Sequence, residues 1–158
     1  DTNTKVNPPL RTKADVEALR RGLADGAVDA IVTDHAPHHV DDKDVEYDYA
    51  AFGIVGLETA VGLIFSELVA KKVITAALAI EKLTSGPAGV LGLPKGTLSL
   101  GAEADLTIID PSAQWTVNPA EFASRSRNTI FSGWELTGRP AMTIVAGAIV
   151  AEDGVLKT

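Results

Sequence analysis

The sequence predicts an α/β chain in two parts: the end of a parallel α/β unit over residues 1–95, then a small β module over residues 96–158. Three observations carry this. AIVT (30–33) is a continuous apolar run, the pattern of a strand buried on both faces of a parallel sheet. Helical patterns with apolar stripes stand on both sides of it. After Pro94 the pattern changes to short apolar stretches separated by turn residues.

Taken in order, DTNTKVNPPLR (1–11) reads as loop, because consecutive prolines disfavour helix. Thr12 is an N-cap with Asp15 as its capping-box acid, and Val16, Leu19 and Leu23 follow at helical spacing until Gly26. AIVT is the strand, and residues 35–53 form a long loop, acidic in its middle. Leu57, Ala60, Val61, Ile64, Phe65, Leu68 and Val69 share one stripe of a helix. Thr75 starts another helix, and SGPAGVLGL (85–93) holds a short one with Pro87 near its start. Strands are expected at 105–110, 114–117 and 128–131, and 142–154 reads as a hairpin with turns near Gly147 and at Asp153-Gly154. Trp115 and Trp134 read as packing within this module rather than as a ligand platform.

A single parallel strand cannot close an α/β fold. A (β/α)8 barrel takes about 250 residues, and the first part would supply its last quarter. The expectation is therefore a piece of a longer chain, in keeping with a first residue other than Met. Open strand edges and an uncovered apolar face predict either a homo-oligomer or loss of order outside the β module and its helices.

Composition narrows the function. The net charge of −7 argues against a nucleic-acid partner, which needs clustered Lys and Arg. No apolar run is long enough to span a membrane, and the N-terminus lacks the apolar region of a signal peptide. Absence of cysteine excludes a disulfide scaffold and a thiolate zinc site. The expectation is a cytoplasmic protein.

All three histidines, His35, His38 and His39, stand within five residues of one another, after Asp34 at the end of AIVT. Active sites of parallel α/β barrels lie at the C-terminal ends of the strands, so Asp34 is placed to bind a metal or move a proton. His38, a turn later, can grip an anionic group, with Pro37 stiffening the turn between them. The competing reading is a plain turn in which Asp34 caps backbone N–H groups. A zinc site needs at least three protein ligands. This cluster supplies them poorly, so any further ligands are expected outside these residues.

TDHAPH, with Lys43 five residues further on, resembles the second signature of the dihydroorotases, members of the amidohydrolase superfamily. KVNPPLR (5–11), AFGIVGLET (51–59), LSLGAEADLTIID (98–110) and 124–150 are similar to family segments in the same order, so the resemblance covers the whole chain. It implies the last part of a (β/α)8 TIM-type barrel followed by a small β-sandwich segment with a C-terminal hairpin. It also implies a zinc-dependent cyclic amidohydrolase that interconverts N-carbamoyl-L-aspartate and L-dihydroorotate in pyrimidine biosynthesis.

Asp34 matches the family's metal-coordinating, proton-shuttling aspartate. His38 and Asn7 match its carboxylate-binding histidine and asparagine, and Phe52 and Gly53 match the loop that contacts the substrate ring. The family's remaining zinc ligands have no match here, so these residues alone are expected to be inactive. Two positions depart from the pattern, Val32 where a small residue is usual and Ala51 where proline is usual. His35 reads as a turn residue or a support for the site, and His39 and the acids at 41–48 as a solvated loop. Alternatives are an allantoinase or hydantoinase, and an inactive dihydroorotase-like scaffold for aspartate transcarbamoylase. An unrelated binding module built on the β part explains neither the acid at the strand end nor the order of the segments.

Overall fold

Thr12 starts the first helix as the sequence predicts. In the computed structural model, which describes residues 1–157, its side chain accepts from the Asp15 N–H, and the Asp15 carboxylate accepts from the Thr12 N–H at 3.0 Å. Helix α1 runs Lys13–Ala24 and the chain leaves it through Gly26 at φ +85°. AIVT departs from expectation and forms no strand. A parallel ladder needs a neighbour, and the described residues offer none; the Ile31 N–H donates instead to the Lys82 carbonyl at 2.9 Å. Val32 is accordingly 78% exposed rather than buried.

The predicted loop at 35–53 contains a helical turn, Val40–Lys43 (α2), capped by His39, whose side chain accepts from the Asp41 N–H. The acids at 41–48 are therefore not simply solvated loop: Asp42 closes this cap and Lys43 is buried. The next helix begins later than its stripe suggests, at Ala60 (α3, Ala60–Ile64), and widens into a π-helical turn over Phe65–Val69. Leu57 lies outside it because the Gly56 and Leu57 N–H groups turn toward His35. Helices α4 (Ala76–Leu83, capped by Thr75) and α5 (Ser85–Leu91) follow. Gly92 ends α5 at φ +65°, and the Leu93 N–H returns to the Ala88 carbonyl.

All assigned strands lie beyond residue 105: β1 Leu106–Thr116, β2 Glu135–Val145, β3 Ala148–Glu152 and β4 Val155–Leu156. They form one antiparallel sheet in chain order. The two short strands expected at 105–110 and 114–117 are one strand, with its pairing interrupted between Asp110 and Gln114. Pro111 cannot donate to the ladder there. The hairpin turns fall where predicted, with Ala146-Gly147 and Asp153-Gly154 all at positive φ. Residues 128–131 are not a strand; Asn128 and Thr129 are buried there. The described residues hold one sheet, so they do not by themselves complete a sandwich.

Two apolar clusters hold the chain. Leu23, Ile64, Ile74 and Ala79 form the first, with Ile31 and Leu68 packed on it. Val55, Val117, Phe122 and Leu136 form the second, with Leu63, Trp115 and Phe131 beside them. Gly62 lets α3 lie on the sheet, because a Cβ there would stand 2.8 Å from Trp115 and 2.9 Å from Leu136. Both tryptophans pack as expected. Trp115 also donates its Nε1–H to the Gly138 carbonyl at 3.1 Å, and Trp134 meets Phe131 edge to face with ring centroids 5.2 Å apart.

Candidate active site

Asp34 sits at φ +46° and is exposed. Positive φ is uncommon outside glycine, though aspartate tolerates it better than most. Its carboxylate takes no hydrogen bond among the described residues, so it does not act as the local cap that the plain-turn reading requires.

His35 turns the other way and braces the site. Its Nδ1 accepts from the Gly56 and Leu57 N–H groups at 3.1 and 3.3 Å, and its Nε2 faces the Ser124 hydroxyl at 3.3 Å. An Nδ1 that accepts puts the ring proton on Nε2. The imidazole thus donates toward Ser124, the opposite of what would activate a serine nucleophile. The Ser124 N–H donates to Glu58 at 2.8 Å. Burial alone would raise the Glu58 pKa, but its hydrogen bonds with Ser124 and its own backbone, together with the neighbouring His35, hold the carboxyl below its usual range.

The structure brings His38, Phe52 and Gly53 together. The His38 Nε2 lies 2.8 Å from the Phe52 carbonyl oxygen, so this nitrogen carries the proton and donates. Gly53 stands at φ +130°, where a Cβ would lie 2.5 Å from that of Ala36 and 3.1 Å from His38 Nε2, so only glycine fits. Phe52 is 57% exposed. Asn7 is exposed, and no hydrogen bond joins it or Asp34 to His38 among the described residues. Its segment is tied in through Lys5, whose carbonyl accepts from the Gly53 N–H at 3.0 Å. His39 is exposed, as expected.

Two buried lysines organise this loop without any carboxylate. Lys43 Nζ donates to the carbonyls of Ala51 at 2.8 Å and Gly53 at 3.0 Å, with that of Lys5 at 3.4 Å. Burial, and then the neighbouring Lys5 charge, push its pKa down. Lys5 Nζ donates to the Asp48 carbonyl at 2.8 Å and stands 4.7 Å from the centre of the Phe52 ring. Asn128 adds a third donor, its Nδ2 lying 3.0 Å from the Gly53 carbonyl. The roles of Lys5, Glu58, Ser124 and Asn128 were not legible in the sequence, and Lys43 entered only as a member of a motif. The last three partners lie far along the chain from the groups they hold, so no local spacing announces them.

A cavity of about 840 Å³ opens between His38, His39, Lys43, Arg125 and Asn128. Asp34, Asn7, Phe52 and Gly53 are not among its walls. Asp34 lies outside this space. Among the described residues no group of three or more His, Cys, Asp or Glu is placed to hold a metal ion. Asp34 fits as one ligand, which is short of the three a catalytic zinc needs.

The amidohydrolase family model matches residues 5–150. The chain belongs to the amidohydrolase family. Among its relatives, the dihydroorotase of Pelotomaculum thermopropionicum is 60% identical over 157 residues, covering 99% of this chain and 37% of the relative. That of Geobacter metallireducens is 51% identical over 150 residues, covering 95% of this chain and 35% of the relative. The chain thus spans little more than a third of the length of these proteins. The solved L-hydantoinase (dihydropyrimidinase) from Arthrobacter aurescens superposes with a TM-score of 0.92 at 33% identity, over 98% of this chain and 35% of that one. The α/β barrel class read from the sequence agrees with this amidohydrolase likeness. No helix among the described residues is long and apolar enough to cross a membrane.

Proposed function

We propose that these residues supply the acid–base turn and the substrate-contacting loop of a dihydroorotase, which reversibly cyclises N-carbamoyl-L-aspartate to L-dihydroorotate. The observation that carries the reading is 60% identity to a dihydroorotase across nearly the whole chain. The free carboxylate of Asp34 and the joining of His38 to Phe52–Gly53 support it.

In the hydrolytic direction Asp34 takes the proton of the attacking water and delivers it to the leaving amide nitrogen. His38 and Asn7 hold the substrate carboxylate, while Phe52 and Gly53 face its ring. Zinc, held in part by Asp34, would polarise the amide carbonyl and acidify the water. Its other ligands come from residues outside these. Residues 1–95 belong to the barrel in this reading. Residues 96–158 are one layer of a small sandwich whose second sheet comes from the same outside residues.

A hydantoinase is the second reading, favoured by the likeness to the solved L-hydantoinase quoted above. A scaffold for aspartate transcarbamoylase is the third. The test takes the purified chain and the longest gene product that contains it, and measures zinc content and hydrolysis of dihydroorotate and of hydantoin on both. The longer product should carry zinc and prefer dihydroorotate, and the chain alone should do neither. Asp34→Asn in the longer product should lower kcat by about 10²–10⁴-fold. Preference for hydantoin moves the protein to the second reading. A longer product without zinc or turnover moves it to the third, and turnover by the chain alone removes the need for outside ligands.

A further inference from the structure

We propose that Asn128 is a positioning residue for His38, clamping the His38 turn and the Phe52–Gly53 peptide into one arrangement. Asn128 is 8% exposed and comes from the segment before β2. Its Oδ1 accepts from the His38 N–H at 3.3 Å, and its Nδ2 donates to the Gly53 carbonyl at 3.0 Å. The Ser126 hydroxyl also donates to Oδ1, and the Asn128 carbonyl accepts from the Val55 N–H at 3.0 Å. A carboxylate of the same shape has no donor for Gly53, so the amide is the group this position requires.

The clamp decides where the imidazole points. His38 Nε2 donates to the Phe52 carbonyl at 2.8 Å, which leaves Nδ1 as the ring atom free to meet a ligand. A shift of either the His38 backbone or the Phe52–Gly53 peptide would redirect Nδ1, and Asn128 holds both. Asp34 has no bond to Asn128 among the described residues. Loss of the clamp should therefore weaken substrate binding and leave proton transfer in place.

This inference rests on the reading of His38 as the substrate anchor, and the experiment separates the two. In the longest gene product containing the chain, Asn128→Ala should raise KM for dihydroorotate about tenfold or more, with kcat held within about twofold. A fall in kcat at unchanged KM overturns the proposal, since a structural role alone produces that result by lowering the active fraction. If the unsubstituted product has no turnover, the functional reading fails and the clamp is judged by chemistry instead. Diethylpyrocarbonate modification of His38, measured against the exposed His39 by fragment-ion masses of the peptide that carries both, should rise about fivefold in Asn128→Ala, the scale of one lost buried hydrogen bond. An unchanged ratio overturns the clamp. If the variant does not fold, amide exchange in the unsubstituted protein decides: the His38 amide should be protected as strongly as that of Val55, and exchange at the rate of a free peptide overturns the proposal.

Discussion

The two apolar clusters carry different halves of the candidate site. The first is built between Leu23 and Leu83, and Ile31, three residues before Asp34, packs on it. The second takes Val55 from the loop that follows the site and Val117, Phe122 and Leu136 from beyond residue 105. Val55 follows Phe52–Gly53 closely, and Asn128 reaches the same place from the sheet side. Asp34 thus rests on the helices, whereas His38 and the Phe52–Gly53 loop rest on the sheet. Under the proposed function, a site divided this way can lose binding without losing acid–base chemistry, and the reverse.

The largest effect that tests this division comes from the core. Leu136 is 2% exposed, and Leu136→Ala should cost about 3 kcal/mol, within the range for large-to-small core changes. Ile74, 6% exposed, should cost a similar amount in the first cluster when changed to Ala. Equilibrium denaturation measures both. Amide exchange then separates them, because Leu136→Ala should speed exchange at His38 and Gly53 and Ile74→Ala should not. Equal acceleration at these amides in the two variants would mean that the clusters act as one body.

Lys43→Met comes next. It leaves the Ala51 and Gly53 carbonyls without their ammonium donor, a loss of about 2 kcal/mol. The effect falls short of Leu136→Ala because the buried charge is itself costly, which is why its pKa is pushed down. The sign of the pH dependence follows from that direction. A lysine with a depressed pKa in the folded chain binds fewer protons there than when unfolded. Stability therefore rises as pH climbs from the folded value toward the ordinary 10.5. Denaturation curves across that alkaline window should show this rise in the unsubstituted chain and not in Lys43→Met.

The parts that the sequence made legible are those set by local chemistry. The Thr12 and Thr75 caps, the Gly92 helix end and the turns at Gly147 and Gly154 each depend on a few adjacent residues. The parts that were not legible depend on partners elsewhere. AIVT has the composition of a buried strand but no neighbour to pair with here. Residues 128–131 have an apolar strand-like pattern, yet Asn128 spends its polar groups on His38, Gly53 and Val55. His35 read as a turn residue or a support for the site, and it does hold the Gly56–Leu57 turn, but those partners, 21 and 22 positions away, could not be named from the sequence. Asp34 and His38 could be named from their motif, but the residues that aim them could not, because those contacts bridge tens of positions in the chain.

The smallest effect lies in the crossover between the two regions. Lys95 pairs with Glu103 and, at 2.7 Å, with Asp105, which also accepts from the Ala146 N–H at 2.9 Å. These bonds, to Asp105 first and Glu103 second, raise the Lys95 pKa to about 12. A raised folded value means that the contribution is complete below 10.5 and fades as pH climbs through about 12. The three side chains are 44%, 55% and 37% exposed, so water and salt weaken the pairs. Lys95→Met should therefore lower the melting midpoint less than either change above, and the difference should vanish in about 1 M KCl, where charges are screened within a few ångströms. A loss that survives high salt would mean that the crossover is fastened to the second cluster by packing. In that case the sheet and the His38 loop would extend their support back to residue 95, and the division of the site between two clusters would give way to a single framework.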